Sequence, residues 1–242
     1  MESFVIKWGC LSGTGGRSVA EAWQFLLRRP DLLSGWTLQH LYIILVANGI
    51  SLIIAVALGI WITGKGREQI ADVVLYLSDI IMTIPSLAMF GFLMPLFAAL
   101  GLKSYGFGVA VTALVLYGLL PVIRNTYTAI KEVDPAMVEA GRGMGMSELQ
   151  ILTRIKLPLA TPVIMAGLRN AVVINIGIAA IAAMIGAGGL GVPIFRGLRN
   201  LRMDLIITGA VALTLLAWAA DGLLGLLERW LTPEGLRRAR KR

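Results

Sequence analysis

An all-α, polytopic integral membrane protein of about five spans is the fold that this 242-residue chain predicts, and three observations carry it. The composition is 57% hydrophobic and only 15% charged, with a mean hydropathy of +0.79. That is more apolar surface than a soluble domain of this size hides in one core. The apolar residues gather into runs of about twenty, the length at which a helix crosses a bilayer. Between two of these runs lies a glycine-punctuated polar island over residues 134–158.

Taken in order, residues 1–37 form an N-terminal segment. Within it, residues 21–33 place apolar residues on roughly one face, with Arg28 and Arg29 beside Pro30. A helix lying on the membrane surface fits that pattern, and so does a plain ordered terminus. The segment lacks the charged start, apolar run and small-residue cleavage site of a secretory signal, so the first span is expected to be retained. The apolar region, 38–231, resolves into spans at about 38–62, 70–100, 107–123, 161–185 and 205–231. The second is long and contains Pro85 and Pro95, which predicts a kinked or broken helix. Residues 232–242 make a basic tail.

The polar island reads as two short helices. Asp134 can cap a helix that has Pro135 at its first position, where a missing N–H costs nothing, and Gly145 can close it in a left-handed conformation. Ser147 with Gln150 is a capping box, and Glu148 suits the positive end of the second helix. That helix should stop before Pro158, because a residue preceding proline, here Leu157, is pushed towards extended geometry.

Composition also excludes. The net charge of +8 is spread over connecting segments and the tail, with no soluble basic face, so nucleic acid is not an expected partner. One cysteine, Cys10, permits no intrachain disulfide, and one histidine, His40, permits no histidine-rich metal site. Both read as ordinary residues near a membrane boundary. With the island placed in the cytoplasm, thirteen of the 22 lysines and arginines fall on its side, eight fall on the other, and Arg169 lies within a span. This bias predicts an outside N-terminus and an inside C-terminus, although Arg196, Arg199 and Arg202 in the last outer loop oppose it.

Charges inside spans are costly and therefore informative. Asp79 and Arg169 both fall on the order of 12 to 14 Å from the island side, so an ion pair between them is one expectation, with Asp221 as the rival acid. The alternative is that Arg169 snorkels to the boundary while Asp79 faces a water-filled cavity. Asn48, Ser51, Thr83, Ser86, Asn170 and Asn175 are candidates to line a path, each with interhelical hydrogen bonding as the commoner role. Gly167, Gly177, Ala179 and Ala183 are small enough for close helix packing. Trp36, Tyr42, Trp61 and Tyr76 read as interface anchors, since no set of rings converges into a cage.

The island spells Glu139-Ala140-Gly141, then Gly145 after three residues, then Ile155, Leu157 and Pro158 in an Ile-x-Leu-Pro run, and this resembles the EAA signature of ABC-importer permeases. The departure is Gly141, where the signature has its second alanine; glycine there lowers helix stability by about 1 kcal/mol. The stretches 83–88, 185–191 and 221–228 look like the branch that takes up glycine betaine, choline, carnitine and related osmoprotectants, so the resemblance covers about 40–231. Methionine permeases and other five-span relatives share that architecture.

The resemblance implies a type I permease fold in the bacterial cytoplasmic membrane. It implies that the two short helices couple to a cytoplasmic ABC ATPase dimer, and that a second permease subunit, identical or a sister chain, completes the path. A periplasmic or lipid-anchored substrate-binding protein would deliver the solute. The chain carries no P-loop, nucleophile elbow or zinc helix, so no catalytic residue and no cofactor of its own are expected, and ATP and Mg would be bound by the partner ATPase. The glycine run 186–191 satisfies G-x-G-x-x-G, but it follows an apolar span rather than a strand and reads as a flexible, tightly turning outer connection. Two other functions compete: an ABC permease for another solute such as an amino acid, and an ion-coupled transporter in which Asp79 or Asp221 carries the ion. A membrane assembly factor is a third.

Overall fold

The computed structural model describes residues 29–232, together with Ala22 and Gln24. The expectations for Cys10, for most of the 21–33 surface helix and for the basic tail after Thr232 lie outside the described residues. Helix α1, Pro30–Ile62, begins at Pro30 and not at residue 38. Pro30 at its first position and Asp31 in its first turn are helix-start chemistry, which a hydropathy window does not register. Its 33 residues reach about 50 Å, well beyond the ~30 Å hydrocarbon core.

The second span is broken. Helices α2, Glu68–Thr83, and α3, Ser86–Ala99, meet at a bend of 103°. Ile84, ahead of Pro85, is extended at φ −69° and ψ 123°, as the proline ring requires. Its freed carbonyl accepts the hydroxyl of Tyr117 from the next helix, which leaves the break satisfied inside the protein. That next helix, α4, is Phe107–Lys131 and outruns its predicted end at 123, because Arg124 and Lys131 lower the hydropathy without interrupting the backbone.

Short helix α5, Pro135–Gly143, is followed by α6, Glu148–Ile151. The expected stop before Pro158 does not occur. A π turn, Leu152–Lys156, joins α6 to α7, Leu157–Ile181, and a final 3-10 turn completes one helical rod over Glu148–Ile185. Leu157 is helical at φ −62° and ψ −45°, and its N–H donates to the carbonyl of Leu152, five residues back. The widened turn relieves the clash that a proline ring makes with an ordinary α turn, so Pro158 enters the rod. Helix α8, Gly191–Arg199, and helix α9, Met203–Leu231, finish the described chain.

Helix α4 packs most extensively against α1 and α7, and these three hold the main core, including Ile43, Ala47, Ala113, Leu114, Ala171 and Ile176. Asn175 crosses all three: its Nδ2 donates to Asn48 Oδ1 on α1 and to the Leu114 carbonyl on α4, each at 3.0 Å. A Cβ on Gly118 would meet Ser51 Oγ at 2.6 Å, and one on Gly167 would meet the Pro121 carbonyl at 2.7 Å, so close approach decides both positions. Gly177, expected in the same role, faces open space. Helix α9 packs along α7 and α8, with Leu213, Ala217, Ala220 and Leu224 half-buried against the core, while Val211, Leu215, Trp218, Leu223 and Trp230 on its other side are exposed. Such a surface suits lipid.

Candidate functional site

The island forms a hairpin whose caps match their sequence signals. Asp134 accepts the Ala136 N–H at 2.8 Å, and Ser147 and Gln150 exchange side-chain-to-backbone hydrogen bonds at 3.3 and 2.8 Å. Gly145 turns the corner at φ +78°, with Gly145 N–H on the Arg142 carbonyl and Met146 N–H on the Gly141 carbonyl. This is a Schellman closure, which needs a residue free to adopt the left-handed region. Across the corner, Arg142 donates to Glu148 at 2.9 Å, and Lys65 of the α1–α2 loop lies 3.9 Å from the same carboxylate. The hairpin has a core of its own in Val133, Val138 and Ile151, with Met146, Ile155 and Leu159 against it.

The signature residues divide into two sets. Glu139, Ala140 and Gly145 are exposed, whereas Gly141 is buried and Ile155, Leu157 and Pro158 are half-buried. A Cβ on Gly141 would lie 2.8 Å from Ile155 Cδ1, so the glycine lets α5 close on the π turn. Sequence reading missed the exposed apolar residues of the hairpin, Met137, Met144 and Leu149, of which Met144 keeps 74% and Leu149 69% of its surface. No sequence signal separates them from Val138, Met146 and Ile151 of the same stretch, which the folded hairpin turns into its own core.

The expected Asp79–Arg169 pair is absent. Arg169 on α7 donates to Asp221 at 2.8 Å and to Glu228 at 2.9 Å, both on α9, and so clamps the two helices together. Asp79 instead accepts from Arg124 on α4 at 2.6 Å. Depth alone had placed Asp79 and Arg169 at one level, but they lie on helices that face different neighbours. Both carboxylates that an ion-coupled transporter would need free, Asp79 and Asp221, are therefore paired. Of the polar candidates, Asn48, Ser51 and Asn175 are buried in the core, Ser86 is half-buried, and Thr83 and Asn170 are exposed.

The glycine run is tight and also pinned. Gly186, Gly188 and Gly189 have φ of +80°, +85° and +79°, and Ala187 and Leu190 are buried. Gly189 N–H donates to Gln39 Oε1 at 3.1 Å, and Leu190 N–H donates to His40 Nδ1 at 3.3 Å. His40 is fully buried and its Nε2 contacts the Ile176 carbonyl at 3.2 Å, so it bridges α1, α7 and the glycine turn. The flexible connection expected here is corrected by those contacts.

A bundle of apolar spans that carries a capped, separately packed hairpin on the end of one of them defines a polytopic membrane protein with a folded polar element at one pole. Residues 42–233 match the family described as binding-protein-dependent transport system inner membrane component, and the chain belongs to that family. It is similar to the osmoprotectant import permease protein OsmW of Salmonella typhimurium, 44% identical over 215 residues, 88% of this chain and 98% of that one. It is also similar to the carnitine transport permease protein OpuCB of Listeria monocytogenes, 42% identical over 85% of this chain and 90% of the relative. The choline transport system permease protein OpuBB of Bacillus subtilis is 40% identical over 90% and 97%. Among solved structures, a chain of the MetNI methionine ABC transporter in an inward-facing conformation superposes with a TM-score of 0.75. It is 22% identical and covers 85% of this chain and 98% of that one, a likeness of fold. The chain is thus a multi-pass permease subunit of an ABC transport system.

Proposed function

We propose that this permease passes a quaternary-amine osmoprotectant, of the glycine betaine, carnitine or choline type, across the bacterial inner membrane. The names of relatives at 40 to 44% identity over most of their length support that substrate class. The hairpin carries the energetic half of the reading. Its Schellman corner, capping box and private core make it a rigid body continuous with α7, so a displacement of the hairpin moves a span and is not absorbed by a loop.

In this reading a cytoplasmic ABC ATPase dimer holds ATP and Mg and grips the hairpin, with Met144 and Leu149 filling apolar hollows and Glu139 meeting a cationic group. The hairpin end is cytoplasmic, the N-terminus is outside, and the C-terminus is inside. A second permease, identical or sister, closes the path, and a substrate-binding protein loads it at the α8 end. Reconstitution with those partners in liposomes tests this. ATP-dependent uptake of a betaine or choline panel is expected, with Met144→Asp and Leu149→Asp each lowering uptake and stimulated ATP hydrolysis about tenfold or more. Uptake that persists without the ATPase overturns the reading.

A further inference from the structure

Two ion pairs tie α2 to α4. Glu68 and Lys131, 3.6 Å apart, mark the hairpin end of both helices. Asp79 lies about three turns further along α2, and Arg124 about two turns back along α4, which puts the second pair well inside the bundle. There Arg124 Nη2 sits 2.6 Å from both carboxylate oxygens of Asp79. The two side chains nevertheless remain 50% and 47% exposed, more than Arg169 at 33%, Asp221 at 41% and Glu228 at 11% in the cluster between α7 and α9.

A half-exposed ion pair at that depth does not face hydrocarbon, because lipid solvates neither charge. It faces water or protein. Tyr76 and Thr83, on the same side of α2 as Asp79 by helical spacing, are exposed as well, Tyr76 at 67%. The exposed strip therefore presents an aromatic ring, a carboxylate and a guanidinium, with the apolar side chains of Val73 and Ile80 beside Tyr76 and the Thr83 hydroxyl turned to the Ile80 carbonyl. An aromatic face beside a carboxylate attracts an onium ion, and a guanidinium takes a carboxylate.

We propose that the Asp79–Arg124 pair is a specificity-determining, two-pole element of the translocation path, opened by a zwitterion whose onium group turns to Asp79 and Tyr76 and whose carboxylate turns to Arg124. It rests on the osmoprotectant reading and sharpens it: zwitterionic betaines are favoured over choline, which has no carboxylate. The pair exchanges its internal partner for the two ends of the solute, so neither charge is left unpaired during passage.

The test uses the full complex in liposomes, with glycine betaine and choline as probes. Arg124→Gln is expected to lower the ratio of glycine betaine to choline turnover about tenfold, the size of one lost charge-assisted contact, with KM little changed because the binding protein sets capture. Arg124→Lys should recover most of the ratio, and Asp79→Asn should lower turnover of both solutes. Equal loss of both solutes in Arg124→Gln, or full restoration by the swap Asp79→Arg with Arg124→Asp, overturns the proposal and leaves a structural clamp. A wild-type complex that transports neither probe sinks the osmoprotectant reading and this proposal with it; a wild type that transports both with unaltered variant ratios sinks this proposal alone.

Discussion

Gly141 shows what a single residue contributes to the hairpin. By propensity alone a glycine in α5 is a small defect, about 1 kcal/mol relative to alanine. In the structure it is buried, its would-be Cβ lying 2.8 Å from Ile155 Cδ1, 3.4 Å from Met146 Sδ and 3.5 Å from Ile151 Cγ1. The nearest of these is the free end of a side chain that can rotate, so one methyl group is tolerable and a branched or long side chain is not. Gly141→Ala should therefore leave stability within about 1 kcal/mol of wild type, propensity gain offsetting crowding, while Gly141→Leu should cost about 1–3 kcal/mol and detach α5 from the π turn. Thermal unfolding in detergent, followed together with ATPase stimulation by the assembled complex, reads both effects. An unaltered Leu variant would show that α5 does not close on the π turn. The capping residues were fully legible in the sequence, because Asp134, Ser147, Gln150 and Gly145 each act on backbone within a few residues. The role of Gly141 was not, since its neighbours lie across a corner that only the folded hairpin brings together.

At the scale of elements the same division recurs. The broken second span was legible from Pro85, whose effect on Ile84 is local, and the length of α4 was not, because hydropathy windows stop at a charge that a helix passes through. The continuity of α6 and α7 was hidden for a subtler reason: Pro158 usually ends a helix, and the π turn that admits it has no sequence signature of its own. Pairing of the intramembrane charges was equally beyond reach, for depth can be counted along a chain but azimuth between helices cannot. The observed clamp makes a definite claim about α9, which otherwise packs on α7 and α8 through half-buried side chains. Arg169 side-chain exposure of 33% and Asp221 exposure of 41% discount the clamp for screening, yet removing the guanidinium leaves both Asp221 and Glu228 without it. Arg169→Met should lower the unfolding temperature in detergent by several degrees, about 1–3 kcal/mol, and should loosen α9 as seen by faster proteolysis near its end. The exchange Arg169→Asp with Asp221→Arg should recover part of the loss but not all, because Glu228 then faces the relocated acid. Full stability in Arg169→Met would mean that packing alone holds α9.

Across the whole molecule, the distribution of charge and the pairing of helix ends bear on one question, which end faces the cytoplasm. The sequence bias of lysine and arginine favours the hairpin end but is opposed by Arg196, Arg199 and Arg202. The fold groups the ends without reference to that bias: the Glu68–Lys131 and Lys65–Glu148 pairs gather the α1–α2 loop, the foot of α4 and the hairpin at one pole. At the other pole the Gly106 N–H donates to the Ile185 carbonyl at 2.8 Å, and Gln39 and His40 bind the glycine turn. A single labelling result at each pole therefore orients every helix at once. With Cys10 replaced by serine, Lys65→Cys and Met144→Cys test the hairpin pole, and Leu102→Cys and Asn200→Cys test the other; all four positions are exposed. In intact cells whose outer membrane has been made permeable, a membrane-impermeant maleimide should label Leu102→Cys and Asn200→Cys and leave Lys65→Cys and Met144→Cys unlabelled until the inner membrane is opened. The reverse pattern would put the hairpin outside, where no ATP-driven partner operates, and would separate the observed fold from the proposed energy source.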